Sequence, residues 1–348
     1  MANTVTIPTA TGNLTAFLKR EFLPSIPPVS GSGSSADPAE QQNQYVLPTA
    51  SQLASWRTVF QSLLAGAWGT AHLQARTISS TYNVVQFRDT GRIYYVLMEG
   101  VPGEIPDPAN HPSGSVTITD PVDPTRRGWG TYVFDAEPQR GLSLSAPHPF
   151  DDRWTEDEAV EAFLALGART LLIAGADRDQ NTAQALCDQS SRPYLEADVS
   201  HTAESVFQVA FEEIYSSDSS TWHIQFHGNA NPTLACPDVD VFLSNGVECA
   251  PQTLYELSAN IAAASMGAAT GEPVLIVDVY DAPGDCILRG TDNMQMRFAS
   301  GLPHASICAQ APVGPSRFIH VEQRRDARRA PTLSTACPSR PSPSRRPL

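Results

Sequence analysis

The chain has 348 residues and a formal net charge of −14, from 37 acidic and 23 basic side chains. That length can bury a large core in one to three domains, and the acidic balance excludes nucleic acid as a main partner, because neutralising phosphates needs basic surface. No run approaches the roughly 20 apolar residues of a membrane span, and Met1–Thr6 lacks the basic and apolar segments of a signal peptide, so no membrane partner and a cytoplasmic location are expected.

Residues 1–47 read as an arm. Leu14–Leu23 can form a short helix, which Pro24, Pro27 and Pro28 end, and Ser30–Gln44 is too rich in Gly, Ser, Ala and Gln to order alone. A smaller α+β region is expected over 48–141. Thr49 or Ser51 caps a helix to Leu64, with Leu53, Trp56, Phe60, Leu63 and Leu64 at helical spacing. A second helix, Ala67–Ile78, follows Gly66. Strands are expected at Asn83–Phe87, Ile93–Met98, Val116–Thr119 and Thr131–Phe134, the first two joined by a turn at Asp89-Thr90-Gly91.

From Leu142 the rhythm changes to alternating strand and helix. Strands are expected at Leu142–Ala146, Thr170–Ala174, Trp222–His227, Val239–Leu243, Val274–Val279 and Phe318–Glu322; helices at Glu156–Leu166, Ala203–Tyr215 and Pro251–Met266. Continuous apolar strands separated by helices predict an α/β fold, a three-layer mixed sheet with helices on both faces, over 142–323. The remaining 324–348 is a Pro/Arg-rich tail. Six cysteines (Cys187, Cys236, Cys249, Cys286, Cys308, Cys337) are too few in this length for a disulfide framework, and no two form a Cys-x-x-Cys pair.

The chemistry gathers at strand ends. Pro147 stops the first strand of the alternating half, and His148 follows with Asp151 and Asp152 three and four residues on. His227 ends another strand before Gly228. One short-spaced His–carboxylate pair plus a distant His is the three-ligand, one-open-site arrangement of catalytic zinc; the plainer reading is a pair of loop histidines satisfied by hydrogen bonds. Glu322 ends the last strand and is placed to act as the general base on a metal-bound water. His223 sits deeper in its strand, where a structural role is expected. No Gly-x-Ser-x-Gly elbow and no phosphate-binding loop occurs.

Ala146-Pro147-His148, Asp152, Thr155, Ala174-Gly175-Ala176-Asp177-Arg178, Asp198-Val199-Ser200-His201, Gln225-Phe226-His227-Gly228 and Ile319-His320-Val321-Glu322 follow one order along the chain. That order resembles the zinc-dependent carboxypeptidase-like hydrolases, nearest to the N-formylglutamate amidohydrolase and poly-γ-glutamate hydrolase types, over roughly Leu142 to Gln323. The resemblance implies Zn2+ held by His148, Asp152 and His227, with Asp151 or Glu156 as other choices for the carboxylate, and Glu322 as base. The family's usual His-x-x-Glu is replaced here by His-Pro-Phe-Asp-Asp. It further implies a small-molecule or peptide substrate bearing a carboxylate, gripped by Arg178, whose plainer reading is an ion pair with Asp177 or Asp179. Read from the residues, Asn293 and Arg297 in the polar loop Gly290–Arg297 either line the substrate pocket or belong to a capped helix, and His201 either lines it and orients a ligand or simply follows Asp198 in a helix start capped by Asp198 or Thr202. The activity implied is hydrolysis of an amide or peptide bond beside a carboxylate, in an N-acyl amino acid or γ-glutamyl substrate. A second reading is a non-catalytic protein of the same fold that binds a ligand or partner.

Overall fold

The computed structural model describes residues 5–22, 45–100, 127–149, 151–181, 183–187, 194–229, 239–247, 250–266, 274–281, 288–311, 313–325 and 327–329. The expected strand Val116–Thr119, the linker Ser30–Gln44, the tail from 330 and Cys236, Cys249, Cys286 and Cys337 lie outside them. In chain order come β1 (Thr9–Thr11), α1 (Leu14–Phe22), α2 (Ala50–Leu64), α3 (Trp68–Ile78), β2 (Tyr82–Asp89), β3 (Arg92–Glu99), β4 (Thr131–Asp135), β5 (Leu142–Ala146), α4 (Thr155–Leu166), β6 (Thr170–Ile173) and α5 (Val206–Ser217). They are followed by β7 (Trp222–Asn229), β8 (Val241–Ser244), α6 (Gln252–Met266), β9 (Val277–Val279), α7 (Met294–Ala299) and β10 (Phe318–Arg324).

Local chemistry accounts for most of these boundaries. Thr49 and Gln52 form a reciprocal capping box at the start of α2. Thr90 and Gly91, both at positive φ, make the two-residue turn between β2 and β3. Glu156, Asp157 and Glu158 place negative charge in the first turn of α4, and Gly167 ends it in a left-handed conformation. Ser205, not Asp198 or Thr202, caps α5, its hydroxyl accepting from Gln208 N at 3.0 Å.

All ten strands form one mixed sheet in the order β1-β2-β3-β4-β6-β5-β7-β10-β8-β9. The centre, β6-β5-β7-β10, is parallel. The α+β stretch before residue 142 continues the same sheet, because β4 pairs antiparallel with β6. Part of the expected arm is also folded in: β1 pairs parallel with β2, and Leu14, Phe17 and Leu18 of α1 are buried. The apolar spacing in α1 explains this, since it supplies a face for the sheet that the Gly/Ser-rich stretch after it cannot.

Side chains alternate between two cores, as the strand period requires. One face packs Tyr82, Val84, Leu97, Tyr132 and Leu172 against α2, α3 and α5. The other packs Val85, Phe87, Leu144, Leu171, Ile173, Ile319 and Val321 against α1, α4 and α6. The expected α/β class with helices on both faces of a mixed sheet is therefore what the chain adopts. Among the described residues no helix is long and apolar enough to cross a membrane.

The cysteine count and spacing give no disulfide framework, yet Cys187 and Cys308 are joined by a disulfide, with Cα atoms 4.9 Å apart across 121 residues of sequence. It ties the loop after β6 to the segment after α7. A bridge between cysteines so far apart in sequence leaves no local spacing signal, which is why composition misses it.

Candidate metal centre

The parallel strands β5, β6, β7 and β10 end at the same edge of the sheet, and in such sheets the crevice beyond the carboxyl ends is where sites are built. A cavity of about 450 Å³ opens there, lined among others by His148, Asp152, Arg178, His227, Asn293 and Glu322. His148 reaches it because Pro147 stops β5, and the turn that follows folds back on itself: Asp152 N donates to His148 O at 2.8 Å. That turn sets the two side chains next to each other, with Asp152 Oδ2 3.2 Å from His148 Nδ1. His227 comes in from β7, its Nδ1 3.5 Å from the same Asp152 oxygen. All three side chains are buried.

Each imidazole is tied at its other nitrogen. His148 Nε2 lies 2.9 Å from Asp198 Oδ1, and His227 Nε2 lies 2.9 Å from Gln225 Oε1. Both partners are acceptors, so each Nε2 carries a proton; on neutral His227 this leaves the Nδ1 lone pair on the Asp152 side, whereas His148, with a carboxylate at each nitrogen, is protonated at both. This is the usual outer support of a metal-binding histidine. Ligands about 2.0–2.1 Å from zinc at tetrahedral angles stand roughly 3.3 Å from one another, and the 3.2 and 3.5 Å spacings match that. The donor set fits zinc.

Charge points the same way. Burial would raise Asp152, but His148, donating from Nδ1, and the facing His227 ring hold it below the usual carboxylate range. Burial pulls His227 down to about 4, which keeps it neutral. Burial opposes the charge on His148 as well, yet the Asp198 and Asp152 carboxylates outweigh it and push His148 up to about 10. A metal ion must therefore displace one proton from His148 on binding.

Glu322 lies beside His227, its register partner on the neighbouring parallel strand. It is 7% exposed, one carboxyl oxygen has no hydrogen-bond partner, and burial reinforced by the Asp152 charge pushes its pKa well above the ordinary value. His320, to which the sequence reading assigns no role, also faces the cavity. Its ring lies 4.3 Å from that of His227, and burial with the facing His227, His201 and His148 keeps it neutral. Gly290, at φ +70°, packs on this ring, where a Cβ would stand 3.0 Å from His320 Cγ.

The three choices for the carboxylate separate in space. Asp152 sits between the two histidines, Asp151 pairs with Arg178 Nε at 3.1 Å, and Glu156 belongs to no convergent His/acid group among the described residues. Arg178 lines the cavity with its side chain 40% exposed. His201 lines it too, stacked on Tyr194 at 3.6 Å with Nδ1 2.9 Å from Asp198. Asn293 lines it while capping α7. Arg297 does not reach the cavity: its fully buried guanidinium holds Thr291 O, Cys308 O and Asp292. His223 is a core residue, its ring 5.0 Å from those of Phe211 and Tyr215. Asp198, which the sequence offers as a cap and within the motif Asp198-Val199-Ser200-His201, instead faces both imidazoles with one oxygen, 2.9 Å from His148 Nε2 and from His201 Nδ1.

No family model matches the chain, and no curated protein matches it either. Two solved structures are distantly similar. Gene product Atu2144 from Agrobacterium tumefaciens is 11% identical with a TM-score of 0.32, over 56% of this chain and 84% of that one. A protein described as a "putative carboxypeptidase A" from Shewanella denitrificans OS-217 is 12% identical with a TM-score of 0.30, over 56% of this chain and 52% of that one. Likeness at this level carries no residue's role across, so the functional reading rests on the geometry of this chain.

Proposed function

We propose that this chain is a zinc-dependent hydrolase that cleaves an amide or peptide bond beside a carboxylate. The observation that carries the reading is the convergence of His148 Nδ1 and His227 Nδ1 on one Asp152 oxygen, at 3.2 and 3.5 Å, with each far nitrogen tied to an acceptor. These three residues would hold a zinc ion, which would supply Lewis acidity to a substrate carbonyl and lower the pKa of a bound water.

Glu322 moves the proton. Burial and the Asp152 charge strengthen its basicity, so it takes a proton from the attacking water and returns it to the departing nitrogen as the C–N bond breaks and the C–O bond forms. Arg178, on the loop after β6, orients the substrate, its planar guanidinium suiting a carboxylate through paired N–H donors. Its contact with Asp151 positions the group at the cavity wall. His201 and Asn293 add polar contacts along the same wall.

The test is a hydrolysis screen of N-acyl amino acids and γ-glutamyl peptides with the purified chain. The expected result is release of the free amine, lost on treatment with a chelator and restored by added zinc. Turnover that persists undiminished after complete metal removal would sink the reading.

A further inference from the structure

A continuous run of hydrogen bonds leaves the centre from the far nitrogen of His227. Gln225 Oε1 accepts from His227 Nε2 at 2.9 Å, and Gln225 Nε2 donates to Gln295 Oε1 at 3.1 Å. Gln295 Nε2 donates to Gln208 Oε1 at 2.8 Å, and Gln208 Nε2 donates to Glu212 Oε1 at 3.1 Å. The three glutamines are 0% exposed and Glu212 is 2% exposed. Glu212 in turn takes Arg57 Nη2 at 2.6 Å and His304 Nδ1 at 2.9 Å.

The direction of this run is not free. A primary amide presents an acceptor at one end and donors at the other, and three partners fix which way each one points. Glu212 is a carboxylate, held below its ordinary value by His304, Arg57 and Gln208 despite burial, and accepts only. Val199 O, also an acceptor, takes a second bond from Gln295 Nε2 at 2.9 Å. Asn293 Oδ1 is occupied by Met296 N at 2.9 Å, so Asn293 presents Nδ2 to Gln225 Oε1. Gln225 must therefore offer its oxygen to His227.

We infer that Gln225 is a positioning residue that fixes His227 in the Nε2–H tautomer, and that Asn293 on one side and the Gln295–Gln208–Glu212 run on the other hold it in that direction. The tautomer leaves Nδ1 free to bind a metal; this purpose rests on the zinc reading, while the tautomer itself does not. Buried amides that merely satisfied one another would work equally well in either direction. Apolar side chains would fill the same space without the cost of burying polar groups, as Ile224, Phe226, Ile319 and Val321 do on the opposite face of these strands.

The experiment is imidazole 15N spectroscopy on the metal-free protein, with zinc affinity and thermal unfolding measured on the same samples. Wild type is expected to show His227 protonated at Nε2. Gln225→Met removes the acceptor and is expected to mix the tautomers and weaken zinc binding at least about tenfold. Gln225→Glu keeps an oxygen toward His227 and is expected to retain both properties. Asn293→Ser, which still caps α7, and Gln295→Met each leave one hold on Gln225 and are expected to keep the tautomer; the double variant is expected to lose it. A wild-type His227 protonated at Nδ1 overturns the inference without any variant, and so does a folded Gln225→Met that keeps tautomer and affinity. An Nε2–H tautomer in a chain that binds no zinc overturns the metal reading and leaves the relay standing.

Discussion

The two faces of the central strands are built from opposite chemistry. On the α1, α4 and α6 side, β5, β7 and β10 present Leu144, Ala146, Phe226, Ile319 and Val321, an ordinary hydrocarbon core. One residue along each strand, the side beneath α5 and α7 holds Ser143, Ser145, Gln225, His227, His320 and Glu322, all buried. A one-residue step thus separates the side chains that stabilise the sheet from those proposed to do its chemistry. The polar face is retained at a cost, since buried amides and carboxyls are favourable only when fully paired. Glu322 Oε2 and His320 Nδ1, both buried without a hydrogen-bond partner, mark where that pairing stops, at the cavity.

Changes on the two faces should therefore separate binding and catalysis from stability. The largest effect is expected from Glu322→Gln, which should lower kcat by about 10²- to 10⁴-fold while zinc content and unfolding midpoint hold, as steady-state kinetics with metal analysis would show; an unchanged kcat would remove Glu322 from the mechanism. On the apolar face, Phe163→Ala should cost about 3–5 kcal/mol in denaturant unfolding, because that ring is fully buried under the sheet, and the folded fraction should bind zinc as wild type does. Asp198→Asn should weaken zinc binding about 10- to 100-fold by calorimetry, since it removes the anion behind His148 Nε2, with a smaller change in stability.

The smallest effect concerns pH and Glu158, at the first turn of α4. Its carboxyl end is enclosed, with one oxygen accepting from Gln323 Nε2 at 2.6 Å, and burial raises its pKa from 4.5 to about 7. A folded pKa above the unfolded one contributes stability that is complete below about 4.5 and is lost as pH rises through about 7. Glu158→Gln should therefore match wild type near pH 4 and exceed it by on the order of 1–3 kcal/mol above pH 8. Parallel stability curves across that range would show that the carboxyl is not held as described.

His148, Asp152, His227 and Glu322 were legible because punctuation exposes them: Pro147, Gly228 and the ends of apolar runs mark where a sheet stops and a crevice begins. The helix start at Thr49 was legible for the same local reason, and that expected at Glu156 lies one residue from the observed start at Thr155. The outer support was not. Gln208 and Glu212 sit in α5 at spacing that reads as a solvated helix face, and only packing against β7 and α7 buries them. Arg297 reads as a pocket cation but is sequestered by carbonyls of its own loop and of Cys308. The junction at β4 and β6 was hidden because antiparallel and parallel apolar strands look alike along the chain, so the region before residue 142 read as separate though it extends the sheet.

The most direct measurement is zinc stoichiometry by metal analysis on the wild-type chain and on His148→Ala, Asp152→Ala and His227→Ala, each confirmed folded by its unfolding transition. The account predicts one tightly held zinc per wild-type chain and its loss from all three variants. Folded variants that retain zinc at the wild-type level, or a wild-type chain that holds none after equilibration with the metal, would contradict it.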